Sequence, residues 1–369
     1  MYCGSFVAPQ GSLTRQSGDA STFSIEGISL PEQITKQNFM RRRFQEVAYG
    51  RLLANRVAEI APDAILSANT PTEIQALLLR TCITNSIRFV SWVQDFYGLA
   101  VHKLLRKRLP ILGELIGIYY RWLDRWVLRN SDHVVLITED FRPLTERMGI
   151  PTNRTTVIEN WAPLDDLPMR PKDNPWARKH DLHDKFVFLY SGTLGMKHNP
   201  ELLLELAKHF RDDPEVRVVV VTEGIGGDWL QDKKQELKLG NLVLLPYQPF
   251  GDFPEVLGSA DVLVAILEPD AGVFSVPSKV LSYFCAGKPL LAAMPAENLA
   301  SKTITRIGAG RVVETANLGE LTKAGTKFRS NPELGLDSGL AARAYAEQSF
   351  DIQVISKILE KTLEMQYEE

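Results

Sequence analysis

The sequence predicts an α/β protein made of two doubly wound domains that face each other across a cleft. Predicted strands alternate with predicted helices along most of the chain, which implies parallel sheets joined by right-handed crossovers. A charged stretch with four prolines, residues 163–185, interrupts this alternation and is typical of an inter-domain linker. We therefore divide the chain into an N-terminal domain, a linker, a C-terminal domain and a C-terminal helix that crosses back, at residues 1–162, 163–185, 186–345 and 346–369.

Composition narrows the class of protein. The 369 residues are 44% hydrophobic and 24% charged, as in an ordinary soluble protein. A net charge of −3 produces no strong positive electrostatic field that would attract nucleic acid. The three cysteines lack a CxxC spacing, which predicts a reducing compartment and no zinc site. We see no membrane-spanning run and no signal peptide, so we expect a cytoplasmic protein.

The N-terminal domain is predicted to begin in an unusual way. Two short strands, residues 1–9 and 22–30, precede a basic helix over 36–60. A buried strand, a glycine-containing turn and a first helix customarily open an α/β domain, and here we expect this first β-α unit to be missing. The later strands are predicted at 63–67, 88–93, 133–138 and 155–159.

The C-terminal domain opens with a strand, a glycine turn and a helix. The apolar run 186–190 predicts a buried strand, and Gly192 lets the backbone approach a ligand closely. Asn199 is the predicted N-cap of the following helix, and Lys197 adds a positive charge beside its start. Such a turn favours a phosphate. Further strands are predicted at 216–222, 241–245, 261–266 and 289–293.

A second turn of the same kind is predicted after the strand 261–266. Pro277 sets a helix start, so Ser278 and Lys279 fall in the first helical turn, where unpaired N–H groups favour an anion. The carboxyl ends of parallel strands meet at one edge of a sheet, which places this turn beside Gly192. Two adjacent anion-binding turns predict a diphosphate site, although a capped core helix with a solvated lysine would give the same pattern.

Residues 101–130 are both basic and apolar. They hold seven Lys or Arg against two acidic residues, with Leu, Ile, Tyr and Trp between them. This is typical of an interfacial helix on anionic lipid, and equally of a long helix with one core face. Part of the segment is predicted to be core on its helical spacing, namely Leu112, Ile116, Tyr119, Leu123 and Trp126.

Three segments together resemble the family 4 glycosyltransferases with the GT-B fold. They are YSGTLGMKHNPELLLELA, LLPYQPFGDFPEVLGSADVLVA and VPSKVLSYFCAGKPLLAAMPAENLASKTI. The resemblance is greatest to bacterial members that build cell-surface polysaccharides. It implies a hexosyl- or N-acetylhexosaminyl-transferase that retains anomeric configuration, with a UDP-sugar donor and a glycan or polyprenyl-diphosphate-linked acceptor. It also implies no cofactor and no metal, because the nucleotide sugar is a substrate and cationic groups hold its diphosphate.

The resemblance also assigns residues to roles in the donor site. It places the diphosphate on Gly192, Thr193, Lys197, Ser278 and Lys279. Members of the family often carry an arginine at the place of Thr193 and two glutamates at those of Phe274 and Ser282. The base and sugar are assigned to Tyr247, Gln248, Ser275, Val276, Pro277 and Ser282.

The N-terminal domain supplies one candidate catalytic residue. Asp95 follows Gln94 at the carboxyl end of the strand 88–93, and the resemblance implies that it contacts the acceptor or accepts its proton. A helix cap is the structural alternative for such a carboxylate. Two other functions stay open: a nucleotide-sugar epimerase of the same fold, which needs a second carboxylate, and a non-catalytic nucleotide-sugar binder.

Overall fold

The computed structural model describes residues 15, 17–32, 39–68, 70–108, 110–267, 277–315 and 317–364. The chain forms two compact units. The first comprises Met1–Glu159 with Ser356–Glu369, and the second comprises Asn160–Ile355.

Unit 1 contains a parallel sheet of four described strands in the order β1-β2-β3-β4. Each strand pairs with the next one along the chain, so the described strands cross the sheet in one direction, as in one half of a doubly wound fold. The strands are β1 (Ala64–Ala68), β2 (Arg88–Val93), β3 (His133–Leu136) and β4 (Thr155–Val157). The helices are α1 (Phe39–Ile60), α2 (Thr72–Thr84), α3 (Tyr97–Arg108), α4 (Pro110–Asn130) and α5 (Arg142–Arg147).

These four strands confirm the predictions for the N-terminal domain to within two residues at either end, while the prediction of a strand over 22–30 is wrong. In that stretch only Gly27 makes a bridge, and most of the residues around it are exposed or half-buried. A pattern of alternating apolar and polar residues does not form a strand unless a neighbouring strand is there to pair with it. The other predicted strand, residues 1–9, lies outside the described residues.

Helices α3 and α4 pack against each other through glycines. A Cβ added to Gly98 would lie 2.7 Å from the Tyr120 carbonyl carbon, and one added to Gly113 or Gly117 would collide with Leu105 or His102. This close approach turns the glycine side of α4 inward, together with Tyr120, Leu123 and Val127, which are buried. The predicted core face is therefore partly confirmed and partly wrong: Leu123 is buried and Trp126 packs against the core, but Leu112 and Tyr119 are exposed.

The glycine contact makes a testable prediction. Gly→Ala ordinarily stabilises an exposed helix by about 0.5–1 kcal/mol. Gly113→Ala should instead destabilise the protein by about 1–3 kcal/mol, because the new methyl meets the Leu105 backbone, which cannot rotate away. Urea unfolding monitored by circular dichroism measures the difference. The matched control is Gly319→Ala, at an exposed position of the helix Leu318–Ser330 in unit 2, where a Cβ would come no closer than 3.8 Å to the Asn317 side chain. Equal effects at the two positions would contradict this packing.

Unit 2 contains a six-stranded parallel sheet in the order β10-β9-β8-β5-β6-β7. Counted from its first strand, this is the order of the doubly wound fold, which reverses between β5 and β8. The strands are β5 (Phe186–Ser191), β6 (Val216–Val221), β7 (Leu242–Leu245), β8 (Val262–Ile266), β9 (Leu290–Ala293) and β10 (Gly310–Val313). The helices are α6 (Pro175–Lys179), α7 (Glu201–His209), α8 (Ile225–Leu237), α9 (Phe253–Gly258), α10 (Ser278–Cys285), α11 (Leu299–Ile307), α12 (Leu318–Ser330) and α13 (Pro332–Ser349).

Residues 163–185 are part of unit 2 rather than a separate linker. Trp176, Leu167 and Leu182 are buried in its core, and the Asn174 side chain caps α6 by accepting from the Ala177 N–H. Proline and charge indicate where regular elements stop, but the tryptophan and leucines between them have apolar surface to bury. The last helix, α14 (Ile352–Glu364), begins in unit 2, and from Ser356 onward it belongs to unit 1. Within unit 1, its Thr362 carbonyl accepts a hydrogen bond from Arg88.

Candidate functional site

The candidate site lies at the carboxyl edge of the unit 2 sheet, where the strand order reverses. Gly192 directly follows β5, and Lys279 lies in the first turn of α10, the helix that comes after β8. Open α/β sheets bind ligands at such a switch point because the connections from neighbouring strands leave in opposite directions and open a crevice.

Gly192 is fixed in a conformation that few other residues adopt. Its φ is +139°, its N–H donates to the Val221 carbonyl, and its own carbonyl accepts from the Thr222 hydroxyl at 2.7 Å. A Cβ at this position would lie 2.9 Å from Lys279 Nζ. The absence of a side chain therefore lets the lysine ammonium approach the backbone of the turn.

Lys279 is the cation of this site. Its Nζ lies 3.7 Å from the centroid of the Tyr190 ring, and burial lowers its pKa to about 7. Among the described residues no carboxylate pairs with Lys279, and burial is the cause of the lowered pKa. A desolvated ammonium with only an aromatic ring beside it is stabilised when an anion binds next to it.

Helix α10 is held against the end of β5 by a tyrosine. The Tyr283 hydroxyl accepts from the Ser191 N–H at 3.0 Å and donates to the Ser191 carbonyl at 3.3 Å. Pro277 precedes the helix, Ser278 is its exposed first residue, and no described side chain caps it. The free N–H groups and the positive end of the helix dipole therefore lie beside Lys279.

A second group of predicted residues borders the same turn. The Thr193 and Tyr247 hydroxyls are 2.6 Å apart, and the Thr193 carbonyl accepts from the Tyr190 hydroxyl. Gln248 does not join them: its side chain accepts from Trp176 Nε1 and donates to the Pro246 carbonyl. These two hydrogen bonds hold the Gln248 amide against Trp176 and the Pro246 carbonyl. Ser282, half-buried on α10, has no hydrogen bond from its hydroxyl among the described residues.

Three predicted donor-site groups lie outside the described residues. They are Ser275, Val276 and the side chain of Lys197, whose backbone belongs to a 3₁₀ turn, Met196–His198. The predicted N-cap role of Asn199 is wrong. Asn199 ends that turn in the left-handed region, with φ +48°, and helix α7 begins at Glu201.

A third loop lies at this edge and was not predicted from the sequence. Gly224 and Gly226 follow β6, Gly224 has φ +112°, and the Gly226 N–H donates to the Leu194 carbonyl at 2.9 Å. A Cβ on Gly226 would lie 2.6 Å from that carbonyl oxygen. Three glycines within five residues directly after a buried strand, in the segment EGIGG, were the available signal.

Asp95 lies in unit 1, on the exposed rim of a cavity of about 270 Å³ at the carboxyl end of β2. One of its oxygens accepts from the Phe96 N–H at 2.8 Å, which leaves the rest of the carboxylate free to bind. Arg42, Gln75, Trp92 and Gln94 also line the cavity. This mixture of charged, amide and aromatic groups is suited to a polar ligand such as a sugar.

The same cavity contains a buried carboxylate that sequence reasoning overlooked. Asp124, on α4, accepts from the Thr72 hydroxyl at 2.5 Å and from the Gly98 N–H at 2.6 Å. Burial raises its pKa to about 6, an effect that these two hydrogen bonds oppose. Its position on the helix face of Tyr120 and Val127, among core residues, was the available signal. Both oxygens are engaged, so Asp124 fixes α4 to α2 and α3.

The part of the chain that the structure describes contains no group of three or more His, Cys, Asp or Glu side chains arranged to hold a metal ion. His180 packs against the Trp176 ring, with 4.5 Å between the ring centroids. Burial lowers the pKa of His180.

Two Rossmann-like units in one chain, with a glycine turn and a half-buried lysine at the switch point of the second, are typical of the GT-B fold class. Residues 6–161 match the family model described as a glycosyl transferase 4-like domain, and residues 173–345 match that of the group 1 glycosyl transferases. The two models together cover most of the chain, which belongs to the family 4 glycosyltransferases with the GT-B fold.

Known relatives agree with this assignment. The chain is 26% identical over 260 residues to the probable glycosyltransferase WbjE of Pseudomonas aeruginosa, covering 67% of this chain and 61% of that protein. It is 25% identical over 167 residues to WcaI of Escherichia coli, whose name describes a colanic acid biosynthesis glycosyl transferase, covering 44% of this chain and 41% of that protein. Less than two thirds of either relative's length is therefore matched.

A solved structure shows the same fold. The structure of HepE from Anabaena in complex with UDP superposes with a TM-score of 0.65 at 14% identity, over 86% of this chain and 82% of that one. At this identity the likeness establishes the GT-B fold alone.

Proposed function

We propose that this protein transfers a sugar from a UDP-sugar, bound in unit 2, to a hydroxyl of a glycan or polyprenyl-diphosphate-linked acceptor, bound in unit 1. The transfer would retain the anomeric configuration and serve the synthesis of a cell-surface polysaccharide. The observation that carries this proposal is Lys279, whose ammonium is desolvated, lacks a described carboxylate partner and lies against Gly192 at the switch point. A desolvated ammonium beside the N-terminus of a helix is suited to bind the negative charge of a diphosphate.

The same groups account for the chemical step. As the bond between sugar and diphosphate breaks, negative charge builds on the leaving phosphate oxygens. Lys279 and the N-terminal N–H groups of α10 would stabilise this charge, and they need no reorganisation because Tyr283 already holds the helix against β5. The nucleotide sugar is then a substrate, and neither a cofactor nor a metal ion is required.

The named relatives support the donor and the pathway. HepE binds UDP in its crystal structure, and the name of WcaI refers to the synthesis of colanic acid. The described free thiols, Cys82 and Cys285, are buried, which fits a reducing compartment and supports action in the cytoplasm.

On the acceptor side, Asp95 gives a prediction of its own. Asp95→Asn keeps an oxygen for the Phe96 N–H but loses the charge that would hold, or deprotonate, the acceptor hydroxyl. We expect the rate of sugar transfer to fall by about 10- to 100-fold, the worth of a hydrogen bond to a charged group. The affinity for UDP should stay unchanged, because Asp95 belongs to unit 1 and the diphosphate site to unit 2. If Asp95→Asn transferred sugar at the wild-type rate, Asp95 would not be part of the acceptor site.

The function is tested by incubating the purified chain with a panel of UDP-sugars, with and without polyprenyl-diphosphate-linked oligosaccharides. We expect UDP release that depends on the acceptor, together with a product that is one sugar longer. Epimerised nucleotide sugar without transfer would identify the epimerase alternative instead. Saturable UDP binding without turnover on any acceptor of the panel would identify a non-catalytic binder.

A further inference from the structure

The outer face of α4 is an apolar surface that no described part of unit 1 covers. Four large side chains, three or four residues apart, share this face: Ile111, Leu115, Ile118 and Trp122. Their exposed fractions are 83%, 62%, 52% and 55%. We call these four residues the α4 stripe. A soluble surface rarely leaves so many large apolar residues together in water, so the stripe indicates a binding surface.

The stripe is a consequence of how α4 packs. Gly113 and Gly117 occupy the positions against α3, so the apolar residues of the first turns have no inner position to fill. Neighbouring α1 adds further exposed apolar surface at Met40 and Phe44, and its Arg43 lies over the ring of Tyr119 on α4. The exposed apolar residues thus belong to helices rather than to a loop.

The exposed charges near the stripe are predominantly positive. The residues Lys103 and Arg106 of α3 and Arg121, Arg125 and Arg129 of α4 are exposed. On α4, Glu114 accepts from His102 and offsets Arg106, with which it is paired, and Asp124 is buried. Lys103 and the three arginines of α4 are therefore left as a net positive charge. Arginines begin where the stripe ends, so apolar side chains and cations follow one another along the same exposed helix.

From this arrangement we propose that the α4 stripe docks on the surface of an anionic lipid bilayer, with α4 lying in the interface. Apolar side chains would enter the acyl boundary, and the arginines would contact the phosphates of the headgroups. No described helix is long and apolar enough to cross a membrane, so the helix would lie along it. A second copy of this chain complements the surface less well than anionic headgroups do, because it would present the same positive charges.

The proposal goes beyond sugar transfer and is tested without it. The full chain is sedimented with vesicles of phosphatidylcholine alone and of phosphatidylcholine mixed with phosphatidylglycerol, at low and at high salt. We expect binding to the anionic vesicles that weakens with salt. Ile118→Ser/Trp122→Ser should lower the partition constant by about tenfold or more, because both side chains would enter the acyl boundary. Arg121→Gln/Arg129→Gln should lower it by about fivefold for each charge removed, on anionic vesicles only.

The matched control is Leu336→Ser/Leu340→Ser on α13, which removes two side chains of similar exposure, 64% and 54%, from the other unit. Circular dichroism confirms that each variant is folded. The proposal is overturned if folded wild-type chain fails to bind anionic vesicles at low salt, or if the stripe variant binds as well as the control. It is also overturned if sedimentation without lipid shows a dimer that Ile118→Ser/Trp122→Ser converts to a monomer.

Discussion

Gly192→Val is expected to abolish UDP binding, with a loss of affinity of about 100-fold or more. Two effects of the substitution combine. Valine is strained at φ +139°, a backbone conformation that is sterically favourable only for glycine. Its Cβ would also lie 2.9 Å from Lys279 Nζ. The lysine must then leave the position over Tyr190, or the turn must leave the end of β5. Either movement separates the cation from the helix start that would bind the diphosphate with it.

The backbone strain should also lower the free energy of unfolding by about 1–3 kcal/mol, so binding is measured under conditions where the variant is folded. The matched control is Gly240→Val, at an exposed glycine where a Cβ meets nothing within 4 Å. Isothermal titration calorimetry with UDP compares the two. A folded Gly192→Val chain that binds UDP within about threefold of wild type would show that the turn is not the diphosphate site.

Lys279→Met is expected to weaken UDP binding by about 100- to 1000-fold, because it removes one partner of a buried charge pair. The same substitution should stabilise the unliganded protein. Methionine keeps the straight apolar stem against Tyr190 but does not carry an ammonium into a desolvated position. A gain in stability together with a loss of binding is typical of a residue retained for its ligand.

The pH dependence of this gain has a defined sign. The pKa of Lys279 falls from 10.5 to about 7 on folding, so between these values the unfolded chain holds more protons than the folded one. The free energy of unfolding of wild type then rises with pH across this window, and the cost of the buried charge is greatest below pH 7. We expect Lys279→Met to exceed wild type in stability most at pH 6 and least near pH 10. Urea unfolding without nucleotide measures both; a variant less stable than wild type at pH 6 would contradict the desolvation.

Much of the fold could be predicted because its signals are local. Apolar runs such as Phe186–Ser191 and Val216–Val221 are buried on both faces of a parallel sheet, and they appear in the sequence as continuous stretches. β10, Gly310–Val313, was missed because it is short and contains an arginine and a glycine. The α3–α4 contact could not be predicted either, because glycine in a helix ordinarily indicates lower helix stability and not a surface against which another helix packs.

The candidate site was predictable where it depends on turns. The glycine after β5 and the Pro-Ser-Lys helix start were found from their positions in the chain, and the structure brings Gly192 and Lys279 together. The roles of Tyr190 and Tyr283 were not found. In the sequence both belong to apolar segments, and only the fold shows that one lies under the lysine and the other fixes its helix.

The most direct test of the account is a calorimetric titration of UDP into the wild-type chain and into Lys279→Met. We expect saturable one-site binding by wild type and a loss of about 100-fold or more in the variant, which would place the diphosphate against Lys279. That result would stand even if no acceptor in the panel were turned over, so it separates the donor site from the acceptor. Folded wild-type chain that does not bind UDP, or equal affinities for the two chains, would contradict the account.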